Sequence, residues 1–398
     1  MSEIKVNSIK GVGASAAAIT VNNTDGTCTA NLTNRTNKNL VINGACLIAQ
    51  RGTSSTSSSY QTVDRFNPSF SGTDEAPTQA QVDVGTSDLP FTKGLTKALR
   101  ITNGNQTSGA GAADYITIDT RLEAQDVRNS GWNYTSSSSF LTLSFYVKSS
   151  VAQNFYGYLK TFDGSSKTYT FETGSLTADT WTKITKTISG NSDLSFDNDA
   201  NLGLQFLIAP FWGTNYTASV TLNQWNTADN AARTPDSTST WYTTNDATFE
   251  ITGVQLEVGS VATDFEHRSF GQELALCTRY CQIFHVPNSN SYRATGITAT
   301  VHGAGNGVYL NTPFLPMRAA PSLTVDGAFG GNVFTGSWSG VTLSSFSAGF
   351  VTDPLSTYGF HGVSSASISS SQTTGLTGHI YTNNNGSDDA ALIFSAEL

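Results

Sequence analysis

Phe249-Glu250-Ile251-Thr252-Gly253-Val254-Gln255-Leu256-Glu257-Val258 is the stretch on which the reading of the fold turns. Apolar side chains interleave with Glu, Thr and Gln, the pattern of a strand with one face packed and the other wet. The same signal recurs upstream in Leu99-Arg100-Ile101, Tyr115-Ile116-Thr117-Ile118 and Phe140-Leu141-Thr142-Leu143-Ser144-Phe145-Tyr146-Val147. It continues in Phe155–Leu159, Tyr169–Phe171, Trp181–Ile184 and Leu202–Phe206, and Val41-Ile42 and Cys46–Ala49 open the series. Roughly ten such strands, separated by Gly, Asn and Ser turns, predict a β-sandwich of the jelly-roll type over residues 39–268.

Composition agrees. Only 13% of the 398 residues are charged, about half the usual 25%, so long charged helices cannot dominate. The formal net charge is −9, from 21 basic and 30 acidic residues, and Lys and Arg form no cluster that could track a phosphate backbone or an anionic lipid surface. Nucleic acid is not an expected partner. The longest apolar runs, such as Leu204–Trp212, fall well short of the roughly 20 residues of a membrane helix, so no membrane insertion is expected. The opening Met1-Ser2-Glu3-Ile4-Lys5-Val6 lacks the basic region and apolar core of a signal peptide.

On either side of the sandwich the pattern changes. Residues 1–38 hold short strand signals around Ile4, Val6, Ile9, Ile19 and Val21, with too few large apolar groups for a core of their own. They read as an attachment or oligomerisation segment. Residues 269–285 read as a connecting helix. Ser269 and Gln272 make a capping box, and Phe270, Leu274, Cys277 and Cys281 share a face over Phe270–Gln282. Residues 286–398 return to Gly, Ser and Asn with short strands, a C-terminal β tip domain. Four cysteines do not make a disulfide framework, and Cys277 with Cys281 reads as two small buried hydrophobes.

Signals for catalysis are sparse. The five histidines share no metal-ligand spacing, and neither a G-x-S-x-G elbow nor a P-loop occurs. Carboxylate neighbours such as Asp74 with Glu75 and Asp388 with Asp389 read as surface loops, though a glycosidase also needs two carboxylates. Asp197, Asn198 and Asp199 offer oxygen ligands but lack an EF-hand pattern, and read as a solvated turn. No cofactor or metal is expected. Aromatic residues in polar surroundings carry more information. Trp212 and Tyr216 precede a long polar stretch that holds Trp225, Trp241 and Tyr242, and Trp338 sits within Gly336-Ser337-Trp338-Ser339-Gly340. Flat rings suit stacking under a sugar, and a loop of that length is usually functional. The competing reading is that these rings pin the loop onto the sandwich.

The run Gly253-Val254-Gln255-Leu256-Glu257-Val258-Gly259-Ser260, continuing through Ala262-Thr263-Asp264-Phe265-Glu266-His267-Arg268-Ser269 into a helix, resembles the close of carbohydrate-binding-module-like jelly rolls in tailed-phage tail fibres and related virion proteins. Asn39–Ala45 with Ile48–Gly52 looks like that family's first strand, and Ser144–Ser149 fits as well. The resemblance spans about residues 39–284. It implies a homotrimeric short tail fibre or adhesin, a non-enzymatic virion protein assembled in the bacterial cytoplasm. Residues 1–38 would meet other phage tail proteins, and the C-terminal unit would meet host surface glycan or lipopolysaccharide. No binding residue carries over, and Gln255 and Glu257 are expected to have packing or inter-subunit roles. A purely architectural capsid-spike or tail-collar protein and a depolymerase tailspike are the alternatives.

Overall fold

The computed structural model describes residues 8–9, 19–21, 28–30, 37–286, 294–302, 307–312, 315–326, 329–333, 341–350, 362–368, 377–382 and 390–398. The chain is mainly β. Strands β1 (Ser8–Ile9), β2 (Ile19–Val21) and β3 (Cys28–Ala30) form a small antiparallel sheet. The jelly-roll sandwich follows, with β4 (Ser54–Ser55), β5 (Phe66–Ser71), β6 (Thr78–Asp83), β7 (Lys97–Thr102), β8 (Tyr115–Glu123) and β9 (Phe140–Ser149) in its first half. Its second half holds β10 (Asn154–Thr161), β11 (Lys167–Ser175), β12 (Thr182–Ser189), β13 (Leu202–Trp212), β14 (Trp225–Thr227) and β15 (Thr248–Val258). One sheet, here the front sheet, has the order β14-β11-β10-β13-β8-β5; the back sheet has the order β12-β9-β15-β7-β6-β4. The short helix α1 (Ala124–Arg128) follows β8.

Alternation decides which side chains meet between the sheets. In β9, Leu141, Leu143, Phe145 and Val147 enter the core, so Thr142, Ser144, Tyr146 and Lys148 face outward. Phe145 meets Phe206 of β13 at 5.5 Å between ring centroids, and Phe155 of β10 meets Phe249 of β15 edge-on at 4.9 Å. In β15 the alternation slips at Gly253, where the register shifts between Thr252 and Gln255. Gly253 has a φ of 62°, and an added Cβ would lie 2.5 Å from Leu95 Cδ1. This bulge lets Ile251 and Val254 both reach the core.

The segment after the bulge works by hydrogen bonding. Gln255 accepts from the Glu266 N–H at 2.8 Å and donates to Glu257 Oε1 at 2.9 Å. Glu257 accepts from the Thr263 N–H at 2.9 Å and its hydroxyl at 2.6 Å. Glu266 accepts from the Asn39 N–H at 2.7 Å, and Arg268 donates to the Asn39 carbonyl at 2.6 Å. Gln255 and Glu257 thus close the turn after β15 within one chain, and the resemblance rests on a hydrogen-bonded clasp. Residues 39–52 are not the expected first strand. Asn43 and Cys46 have φ values of 59° and 56°, which break an extended run. Side-chain amides replace the ladder: Asn39 Oδ1 accepts from Val41 and Leu256, both at 3.0 Å, and Asn43 Nδ2 donates to the Ile48 and Asp64 carbonyls at 2.8 and 2.9 Å.

Beyond the sandwich, α2 (Thr240–Thr243) lies in the β14–β15 connection, and α3 (Phe270–Cys277) follows β15. The Ser269–Gln272 capping box forms on α3. The helix is shorter than the spacing predicts, because Cys281 and Gln282 belong to a strand. That strand is β16 (Cys281–Val286), and eight more follow among the described residues. These are β17 (Ala294–His302), β18 (Gly307–Thr312), β19 (Ser322–Asp326), β20 (Phe329–Val333), β21 (Val341–Phe350), β22 (Gly362–Ile368), β23 (Thr377–Thr382) and β24 (Ala390–Ser395). Pairing of β16 with β24, from Cys281↔Ser395 to Val286↔Ala390, overrides the helical spacing. Phe270 is accordingly 62% exposed, whereas Cys277 is buried. The order β16-β24-β19 makes one sheet, and β17-β18-β22-β21-β20-β23 close into a barrel inserted between β16 and β24.

The end of β24 is locked onto the sandwich. Buried Arg65 pairs with Glu397 and lies 3.4 Å above the Tyr280 ring. Arg51 reaches the same carboxylate at 3.2 Å, and the Tyr60 hydroxyl donates to the Leu398 carbonyl at 3.3 Å. Nearby, Glu123 is bound by Arg279 through two 2.7 Å contacts and by the Tyr280 hydroxyl at 2.7 Å. Burial pushes its carboxyl up, but these donors outweigh it and hold it below the ordinary carboxylate range. Arg65→Met removes one of the two guanidiniums on the buried Glu397, leaving Arg51 alone, and should cost about 3 kcal/mol in urea unfolding. The double variant Arg65→Met/Glu397→Leu should recover most of that loss. A single variant as stable as the parent would contradict the assignment.

Candidate functional site

The outer face of the front sheet follows from register. In β13, Leu204, Phe206 and Ile208 point into the core, so Gln205 and Leu207 point outward. A register shift between Ile208 and Phe211 then brings Trp212 to the outer side beside Tyr115 of β8. Pairing sets two rows across the sheet: Lys160–Gln205–Arg121, and Tyr158–Leu207–Asp119–Asn67.

The aromatic end of this face is a cluster. Tyr115 and Trp212 have ring centroids 5.3 Å apart, and Trp212 and Tyr216 are 5.0 Å apart; Tyr115 meets Tyr216 edge-on at 5.7 Å. The segment around Arg233 lies over it. Arg233 donates its backbone N–H to the Tyr216 carbonyl at 2.9 Å, and its own carbonyl accepts from the Thr170 hydroxyl at 3.0 Å. Its guanidinium sits 4.8 Å from the Trp212 centroid and 5.1 Å from that of Tyr216, a cation–π arrangement. Trp212 is therefore only 3% exposed, while Tyr115 and Tyr216 remain half-buried.

The polar end is built around Asp119. Arg121 Nε donates to it at 2.7 Å and Asn67 Nδ2 at 2.8 Å, and Gln205 bonds it as well. Burial raises its carboxyl above the ordinary range against these donors. Burial likewise pushes the Tyr158 phenol up, while Arg233 opposes the shift by charge and by a hydrogen bond. Asp119, Asn67 and Gln205 are buried and bonded to one another, so the accessible groups of the face are the half-buried rings of Tyr115 and Tyr216 and the side chains of Lys160 and Arg233. Among the described residues, no group of three His, Cys, Asp or Glu side chains could hold a metal ion.

The six aromatic residues expected to stack under a sugar separate. Trp212 and Tyr216 come together on the front face. Trp225 lies at the sheet edge, where its ring packs 5.5 Å from Tyr169 and its Nε1 donates to the Ser189 carbonyl at 2.8 Å. Trp241 and Tyr242 need correction: the helical turn α2 drives both into the core at 0% exposure. Trp241 Nε1 donates to the Thr248 carbonyl at 3.0 Å, and Tyr242 stacks on Phe211 at 4.2 Å, so neither has a free ring face. Trp338 lies outside the described residues. Sequence reasoning passed over Tyr115, Tyr158, Lys160 and Arg233; the outward positions of β8 and β10 were accessible through alternation once their core residues were assigned.

No protein-family model matches the chain, and no curated protein does. Solved structures are similar to part of it. The enzymatically active domain of a bacteriophage CBA120 tailspike is 6% identical, with a TM-score of 0.29, over 56% of this chain and 21% of its own. The N-terminal cellulose-binding domain of Cellulomonas fimi β-1,4-glucanase C is 10% identical, with a TM-score of 0.26, over 54% of this chain and 99% of its own. A family 11 carbohydrate-binding module from Clostridium thermocellum, in complex with a mixed-linked tetrasaccharide, is 11% identical with a TM-score of 0.24, over 54% and 98%. The chain thus spans about a fifth of the tailspike domain's length, and likeness at this level leaves the assignment of the site to its own geometry.

Trp241→Ala should cost about 3–5 kcal/mol of stability as a core truncation, while Tyr216→Ala on the outer face should cost under half of that. Parallel urea melts check this. Equal losses would contradict the placement of the two rings.

Proposed function

We propose that the chain is a non-catalytic adhesin that binds host surface glycan on the outer face of its front sheet. The observation that carries this reading is the Tyr115–Trp212–Tyr216 cluster lying beside the Asp119–Gln205–Asn67 hydrogen-bonding group on one sheet face. Sugar rings present apolar CH faces together with hydroxyls; Tyr115 and Tyr216 supply half-buried rings for the first, Lys160 and Arg233 supply donors for the second, and the buried Asp119 group holds the sheet beneath them. The carbohydrate-binding neighbours are consistent with this role but do not carry it. Asp119 is held by Arg121, Asn67 and Gln205, which suits a hydrogen-bond acceptor better than a proton-transfer group.

In this reading the protein is a short tail fibre of a tailed phage. Support comes from the likeness of its Gly253–Ser269 run to virion jelly rolls and from its low charge. Residues 1–38 attach it to other tail proteins, and three copies assemble about a common axis. The exposed Phe270 and Leu276 of α3, at 62% and 37%, suit burial between those copies. Glycan arrays and whole-cell binding test the reading with the intact chain. Tyr115→Ala and Tyr216→Ala should each weaken binding roughly tenfold, about 1.4 kcal/mol, with an unchanged oligomeric state. Failure of the parent chain to bind host cells or their lipopolysaccharide would exclude the adhesin role.

A further inference from the structure

The same face carries two cations that the chain does not neutralise. Several other half-buried cations meet carboxylates, among them Arg121 with Asp119 at 2.7 Å, Lys167 with Asp193 at 2.9 Å, Lys148 with Glu250 at 3.1 Å and Arg268 with Glu266 at 3.3 Å, while Arg318 is satisfied by backbone carbonyls. Lys160 and Arg233 are half-buried too, yet neither forms an ion pair among the described residues. The Lys160 ammonium sits 5.3 Å from the Phe162 centroid. The Arg233 side chain donates to the Asn230 carbonyl at 3.1 Å and to the Tyr158 hydroxyl. Burial and the nearby Arg233 charge both lower the Lys160 pKa. In a chain of net charge −9, two adjacent, partly desolvated cations are an unusual arrangement.

The acids around them are otherwise occupied. Asp119 is bound to Arg121, Asn67 and Gln205, and Glu172 accepts from Asn154 Nδ2 at 2.8 Å. In the covering loop, Asp236 accepts from the Thr217 hydroxyl, and Asp229 from the Ala231 N–H at 2.8 Å. A second observation comes from Trp212. Its indole Nε1 is buried and has no hydrogen-bond partner, although buried indole N–H groups usually find one.

We propose that this face binds an anionic sugar, whose carboxylate or phosphate oxygens are held by Lys160 and Arg233 beside the Tyr115–Trp212–Tyr216 cluster. The proposal rests on the glycan-binding reading and narrows it. Charge-assisted hydrogen bonds from two cations supply selectivity that ring stacking lacks.

Affinity electrophoresis of the intact chain tests it, in gels cast with polygalacturonate, its methyl ester, phosphomannan or dextran. Retardation by polygalacturonate or phosphomannan, but not by the methyl ester or dextran, is expected, and whichever acts identifies carboxylate or phosphate. Lys160→Met, which keeps the aliphatic stem, should weaken that retardation roughly tenfold, and Lys160→Arg should restore it. Lys183→Met on the back sheet should leave it unchanged. Equal retardation by charged and uncharged polymers, unaffected by Lys160→Met, overturns the anionic assignment while the glycan reading stands. No retardation by any polymer, together with no binding to host cells, overturns both.

Discussion

A buried guanidinium sets the terms for this molecule. Arg65 has 2% of its side chain exposed, and a charge so placed is stable only with a carboxylate beside it. Glu397, from the far end of the chain, supplies that carboxylate, and the Tyr280 ring lies against the cation. The pair therefore draws three regions to one point: the start of β5, the turn after α3, and the residues following β24. Arg318 extends the contact by donating to the Ala396 and Glu397 carbonyls at 2.6 and 3.0 Å and to the Ala200 carbonyl at 2.8 Å. The barrel strands are threaded between β16 and β24, so both ends of the insertion are anchored to the sandwich.

That junction continues into the candidate site. Arg65 also donates to the Arg121 carbonyl at 2.6 Å, and the Arg121 side chain bridges the Leu398 carbonyl and Asp119. Asp119 in turn orients Asn67 and Gln205 on the front face. The polar half of the proposed glycan surface is thus held by the same network that fastens β24. Its aromatic half is held differently, by Arg233 lying over Trp212 and Tyr216. Under the proposed function, a rigid polar group beneath the face would hold the aromatic cluster in place before a glycan arrives, which lowers the ordering cost of binding.

Much of the sandwich was legible in the sequence, because β9, β13 and β15 alternate clearly and their apolar residues all reach one core. The capping box at Ser269 was legible for the same local reason. Three features depended on tertiary context. Residues 39–52 look like a strand, but Asn43 and Cys46 adopt left-handed backbone angles and side-chain amides complete the hydrogen bonding. Cys281 extends a helical stripe on paper, yet its ladder with Ser395 wins. Trp241 and Tyr242 sit in a polar run that reads as a surface loop, and only the α2 turn reveals that they face inward. At the site, Trp212 and Tyr216 could be picked out by their chemistry. The cover supplied by Arg233 could not, since it depends on how a long connection folds back.

The central claim is that glycan meets the front sheet and not the back sheet or the barrel. Hydrogen–deuterium exchange of the intact protein, with and without saturating host polysaccharide, measures this most directly. Protection is predicted in residues 115–121, 156–160, 205–217 and 230–234, with the back-sheet residues 142–148 and 250–257 unchanged. Protection confined to the back sheet or to residues 294–382, with the front sheet silent, would contradict the account.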